Sequence, residues 1–300
     1  MRGELRDRGR RRAPANRDHR HHRTVLTCRL LHGGPGLWDC LRPVARLLDD
    51  STVVHRFDQR GCGRSGPSDD QRMDRLVADL DVLRRHWGYN RWIVIGHSFG
   101  ATLALAYAWT HPDRVASLGY LGGTGLGDWR TAYRAERTHR MTARQQVRLA
   151  QLGALPRRSA TEEREFRTLA WFTDHADRER AWDWADEDAA VPYPINWTAN
   201  RRLAEETDSW SDDTVRRRCR QITAPVAVIH GAGDPRPVTA AAALAHALPG
   251  GRLHVLEGAG HHPWREQPDA LRKILYGGPA APRPVMVAAR PRPGEHVQPW

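Results

Sequence analysis

Apolar and polar positions along this chain follow two alternating rhythms. Short apolar runs recur at "TVLTCRLL" (24–31), "STVVHRFD" (51–58), "RWIVIG" (91–96), "VASLGYLGG" (115–123), "PVAVIHG" (225–231) and "RLHVLEG" (252–258). Their length and β-branched content predict strands. Between several of them apolar residues return at helical spacing, in "RLVADLDVLRRHWG" (75–88), "FGATLALAYAWTHP" (99–112) and "VTAAAALAHALP" (238–249). Short apolar strands alternating with helices predict an α/β fold, a mostly parallel sheet with helices on both faces.

The interval 125–220 breaks the alternation. It is helical in pattern, dense in Arg and Glu, and carries Trp171, Trp182, Trp184, Trp197 and Trp210, with two prolines in "AVPYPINW" (190–197). This is the expected pattern of a helical cap inserted over the carboxyl ends of the strands, where α/β sheets place their sites. The expected organisation is a core from 24–124 and 221–276, a cap at 125–220, and two tails, a basic one at 1–23 and a Pro/Gly-rich one at 277–300.

Charge changes this picture less than its total suggests. Of the net +12, the first 23 residues carry +6 and the last 24 carry +2, leaving +4 for the remainder. The basic tail has no interleaved aromatics and no nucleic-acid-binding module, so neither nucleic acid nor a membrane is an expected partner. Cys28, Cys40, Cys62 and Cys219 form no C-x-x-C pair and no zinc-ligand spacing, as expected of reduced thiols in a cytoplasmic protein. No apolar run reaches membrane-span length, and the N-terminus lacks the apolar segment of a secretory signal.

Candidate chemistry starts at "GHSFG" (96–100), where a strand gives way to a helix. A sharp strand-to-helix turn crowds its neighbours, so Gly96 and Gly100 leave Ser98 at the apex, pointing away from the sheet. A serine hydroxyl needs a base to take its proton and a carboxylate to orient that base. In this arrangement the chain order is Ser, then Asp or Glu, then His. Asp234 follows the strand 225–231 and His261 follows the strand 252–258, at the same sheet edge as Ser98. His262 competes with His261, which is the choice on motif position. The oxyanion donors expected are the backbone N–H groups of Phe99 and of Gly34 in "HGGPG" (32–36), with Gly33 the alternative to Gly34.

Taken together, "HGGPG", "DQRGCGRS" (58–65), "GHSFG", the Asp234 loop and "GAGHHPW" resemble the α/β-hydrolase fold superfamily, and within it the proline iminopeptidase family and its close relatives. The resemblance covers about residues 24–275. It implies a serine hydrolase that releases N-terminal residues from small peptides, with no cofactor and no metal. It also implies that Asp58, Arg60 and Arg64 brace the oxyanion loop rather than react. The family holds the substrate amine on cap carboxylates, and "RAWDWADEDAA" (180–190) offers Asp186 and Glu187 for that role, with Trp184 beside them. The elbow reads "GHSFG" where the iminopeptidases more often have "GGSWG", and an arginine-rich stretch stands where relatives have a leading strand hairpin. Two substrates remain open: a small peptide, if a cap carboxylate reaches the pocket, or a small hydrophobic ester, lactone or amide, if the cap wall is apolar. The sequence gives no oligomeric state.

Overall fold

The computed structural model describes residues 26–48 and 52–277. Within them six strands form one parallel sheet: β1 Leu26–Leu31, β2 Thr52–Arg56, β3 Trp92–His97, β4 Val115–Leu121, β5 Val226–Gly231 and β6 Gly251–Leu256. Their order is β2-β1-β3-β4-β5-β6, so the chain steps outward from β1 to β2 and returns to β3 on the other side. Loops leaving β1 and β3 therefore lead to helices on opposite faces, and both start at the carboxyl ends of the strands. The loops after β1 and β3 are those of "HGGPG" and Ser98.

All six expected strands are present, and their burial explains them. Every residue of β3 and β5 is buried, as two-sided covering requires, while the edge strands β2 and β6 are largely part-exposed. On one face lie α2 Met73–His86, α3 Phe99–Thr110 and α10 Val238–Ala247, packing Leu80, Leu103, Tyr107 and Leu244 against Val94 and Val228. On the other lie α1 Arg42–Leu48, α11 Pro263–Glu266 and α12 Pro268–Gly277, closing over Ile93, Ile95 and Ile229.

Between β4 and β5 the chain makes six α-helices: α4 Trp129–His139, α5 Ala143–Ala154, α6 Ala160–Trp171, α7 Ala181–Ala189, α8 Trp197–Asp208 and α9 Asp212–Cys219. Helices α5 and α6 start with capping boxes, Thr142 with Gln145 and Ser159 with Glu162, which satisfy the first free N–H groups. A small separate core of Met141, Leu152, Leu169, Phe172 and Ala185 holds part of this layer together. Its surface is stitched by ion pairs such as Arg148–Glu165 and Arg158–Glu163. The proline-bearing stretch before α8 is irregular, as its sequence predicts. The expectations for 1–23 and 278–300 fall outside the described residues. Among the described residues no helix is long and apolar enough to cross a membrane.

Candidate active site

The turn after β3 is built by close backbone approach. Ser98 has φ 56° and ψ −121°, and it is the one non-glycine residue with positive φ among the described residues. Such a conformation costs about 1–3 kcal/mol and persists only where its surroundings impose it. Here they do. A Cβ on Gly96 would lie 1.9 Å from the Gly100 carbonyl oxygen, and one on Gly100 would lie 2.2 Å from that of Leu31. The Ser98 N–H is anchored on the Leu121 carbonyl at 2.9 Å.

The glycine loop reaches the same point. A Cβ on Gly33 would stand 2.8 Å from Ser98 Cβ, so Gly33 is the close-approach glycine. Gly34, with φ +47°, lines a cavity of about 550 Å³ together with Ser98 and Phe99. The loop is braced from "DQRGCGRS": His32 Nε2 accepts from the Gln59 N–H at 2.9 Å, and Gln59 Nε2 donates to the His32 carbonyl at 2.9 Å. Asp58 accepts from the Asp39 N–H at 2.7 Å and from Arg64 Nε at 2.6 Å. Burial would raise the Asp58 pKa, but the Asp39 N–H and the Arg64 guanidinium outweigh it and keep the carboxyl below its ordinary range.

Asp234 and His261 meet at 2.6 Å, Oδ2 to Nδ1, and both are buried. Two buried side chains from separate strand-end loops thus pair without any water between them. Burial works against the Asp234 charge, yet His261 and Arg236 together hold the carboxyl well below the usual carboxylate range. The ring of His261 rests against Gly122 at the end of β4, where a Cβ would come within 3.2 Å of Nδ1. Its backbone is fixed from two sides: its N–H donates to the Asp174 carbonyl at 2.7 Å, and its carbonyl accepts from His97 Nε2 at 2.9 Å. The competitor His262 makes no such carboxylate contact, and its Nδ1 is buried without a partner.

Three of these contacts were not foreseen in the residue pattern. Arg236 donates from Nη1 to Asp174 Oδ1 at 2.9 Å and to Asp234 Oδ1 at 3.1 Å, and its guanidinium lies 4.6 Å from the Tyr133 ring centre. It neutralises the side of Asp234 that His261 does not touch. Asp174 comes from the 3-10 turn Phe172–Asp174 that ends α6, and no local signal marks it. His97, the neighbour of Ser98 in sequence, lies under His261, ring centres 4.6 Å apart. Burial and the neighbouring His261 push its pKa well below the ordinary imidazole value, so it serves as a neutral donor.

The residues nominated for substrate binding are not brought together with Ser98. Asp186 faces outward and pairs with Arg164 Nε at 2.7 Å, and Glu187 pairs with Arg265 at 2.9 Å. Trp184 is buried against the His175 ring at 5.2 Å. None of the three lines the Ser98 cavity, because α7 packs on α6 and turns its acidic face to arginines outside it. Of the six tryptophans in the interval 125–220, Trp129 and Trp210 line the cavity, joined by Trp109. The carboxylates that reach it are Asp128, Asp208 and Asp212. Asp208 is already paired with Arg130, whereas among the described residues Asp212 accepts only the Gly127 N–H, at 3.1 Å.

A parallel sheet with a strained serine at a β-to-α turn, a glycine loop beside it and a His–Asp pair from the last two strands defines a class. A family model described as alpha/beta hydrolase fold matches residues 30–266, and the chain belongs to that family. Within it the chain is similar to the proline iminopeptidase of Neisseria gonorrhoeae, 44% identical over 91 residues, 29% of each chain. It is likewise 45% identical to that of Xylella fastidiosa strain 9a5c over 105 residues, 33% of each chain. The match therefore spans about a third of the length of those relatives. The solved proline iminopeptidase of Mycobacterium smegmatis superposes with a TM-score of 0.59 at 21% identity, covering 84% of this chain and 88% of that one.

Proposed function

We propose that this protein is a serine hydrolase in which Ser98, His261 and Asp234 form the triad, and that it acts as an aminopeptidase of the proline iminopeptidase type on small peptides. In this reading helices α4–α9, within 125–220, are the cap. The observation that carries it is one cavity of about 550 Å³ that joins Ser98 and the Gly34 and Phe99 amides to a carboxylate with spare acceptor capacity, Asp212.

The chemistry follows from those positions. His261 takes the Ser98 proton as Oγ bonds to the substrate carbonyl carbon, and Asp234 holds the Nδ1–H tautomer and stabilises the cation formed. Negative charge gathers on the carbonyl oxygen, where the Phe99 N–H, at the start of α3, and the Gly34 N–H receive it. The tetrahedral intermediate collapses as His261 passes the proton to the leaving amine. Water, deprotonated by the same imidazole, then releases the acyl group and restores Ser98.

A second reading is favoured by Trp109, Trp129 and Trp210, which give the cavity apolar walls suited to an ester or lactone acyl chain. Two measurements decide. A fluorophosphonate is expected to label Ser98, as located by peptide mass mapping; absence of label at Ser98 overturns the triad. Proline p-nitroanilide and a p-nitrophenyl acyl ester, assayed side by side, are both expected to turn over; turnover of the ester alone overturns the peptidase assignment and leaves the triad standing.

A further inference from the structure

Three side chains that the triad does not use converge behind His261. They are His175, just after the 3-10 turn Phe172–Asp174, Asp188 on α7, and His262 at the start of α11. One ligand-capable atom from each lies within 4.8 Å of the other two. His175 is fully buried, yet neither of its ring nitrogens has a hydrogen-bond partner, and His262 Nδ1 is buried without one as well. An imidazole always presents a donor, an acceptor or both, and leaving such an atom buried and unpaired costs about 1–3 kcal/mol. Neighbouring rings do not relieve this: Trp184 stands 5.2 Å from His175 and Trp264 5.1 Å from His262, centre to centre.

The surroundings hold the two histidine loops in place. One oxygen of Glu266 accepts from the Ala176 N–H at 2.7 Å and the Asp177 N–H at 2.9 Å, while the other accepts from the Gly260 N–H at 2.5 Å. That single carboxylate ties the segment after His175 to the segment before His262. Asp188 is oriented by Arg265, whose Nη2 donates to Oδ1 at 2.5 Å, and among the described residues Oδ2 has no donor. The Asp188 side chain is 32% exposed, so an ion can enter from solvent.

We propose that His175, His262 and Asp188 form a binding site for a divalent transition metal of the zinc type, which clasps α7 and the His175 segment to the loop that carries His261. Two imidazole nitrogens and a carboxylate oxygen are a ligand set that zinc favours, with water as the fourth ligand. Zinc holds such atoms at about 2.0–2.2 Å, which puts neighbouring ligands about 3.4 Å apart on a tetrahedral edge. Binding therefore requires the three atoms, now within 4.8 Å of one another, to close to that spacing. Arg265 opposes the cation, but the metal offers a partner to the buried His175 ring, which has none among the described residues.

The test uses the full chain with His19, His21 and His22 changed to Gln, so that imidazoles of the basic tail do not add to the count. Equilibrium dialysis against Zn²⁺ alone is expected to give one bound ion per chain and a raised Tm, and Co²⁺ in its place to give visible d–d bands. Asp188→Asn and His175→Gln are each expected to weaken binding about tenfold or more. Binding is expected to persist in His261→Ala, which separates this site from the triad. Because Asp188 reaches solvent, Asp188→Asn decides the matter where His175→Gln does not fold. Failure to bind one ion, equal affinity in wild type and Asp188→Asn, or loss in His261→Ala overturns the proposal.

Discussion

Helix α3, which begins at the residue after Ser98, buries nine of its twelve residues, whereas α4, which brings Trp129 and Arg130 to the same cavity, buries none. The floor is held by apolar packing and by glycines pressed against backbone, so its geometry has almost no freedom. The roof has only a small apolar core of its own, and the arginine–carboxylate pairs beside it, many at the surface, each contribute little. One side is therefore held tightly and the other loosely. The floor fits a role in aligning reacting atoms, which tolerates no slack, and the roof fits a role in selecting what enters.

The sharpest way to break this contrast is at the apex. Ser98→Ala is expected to lower kcat by about 10⁴-fold or more with the fold intact, read by steady-state kinetics and circular dichroism. Ser98→Gly is expected to be as inactive but more stable than Ser98→Ala by about 1 kcal/mol, since it removes the strain of φ 56°. Equal stability of the two in urea titrations would show that the turn is not strained.

Arg236 joins floor to roof. Arg236→Met strands the buried carboxylates Asp174 and Asp234 with one cation fewer, and is expected to destabilise the protein by about 3 kcal/mol and to reduce kcat. The effect on acid stability has a definite sign. The folded pKa of Asp234 is depressed, so its contribution is fully present above the unfolded carboxylate value of about 3.9 and is lost as pH falls below it. Asp234→Asn is thus expected to flatten the fall of unfolding free energy below about pH 4, followed by denaturant titration at stepped pH.

Roof substitutions are expected to do less. Asp212→Asn should raise KM for a prolyl amide about tenfold, about 1.4 kcal/mol of binding, while leaving KM for an acyl ester unchanged. An equal rise for both substrates would sink the amine-binding role of Asp212. Asp186→Asn, which breaks an exposed pair with Arg164, should shift stability by less than about 1 kcal/mol and leave both substrates unaffected. A substrate-selective loss there would restore the sequence-based nomination of Asp186.

Strand positions, the strained turn at Ser98, the glycine loop and the pairing of Asp234 with His261 were legible in the residues because each is a local requirement. A strand buried on both faces must be apolar along its length, a strained turn must exclude Cβ atoms, and the loops of a parallel sheet must all emerge at one edge. The carboxylates of the roof were not legible in this way. Asp186 and Asp212 are both helical acids with arginines in reach, and nothing in their neighbours along the chain distinguishes them. Which one faces the cavity depends on how α7 packs on α6 and how α9 meets α3, and those contacts join positions far apart. The partners of Asp234 divide along the same line. His261 was found by motif, while Arg236 and Asp174, from loops about sixty residues apart, were paired only when the chain folded and buried their charges together. Local backbone demands write themselves into neighbouring residues; the pairing of buried charges depends on proximity in space, which only the folded chain creates.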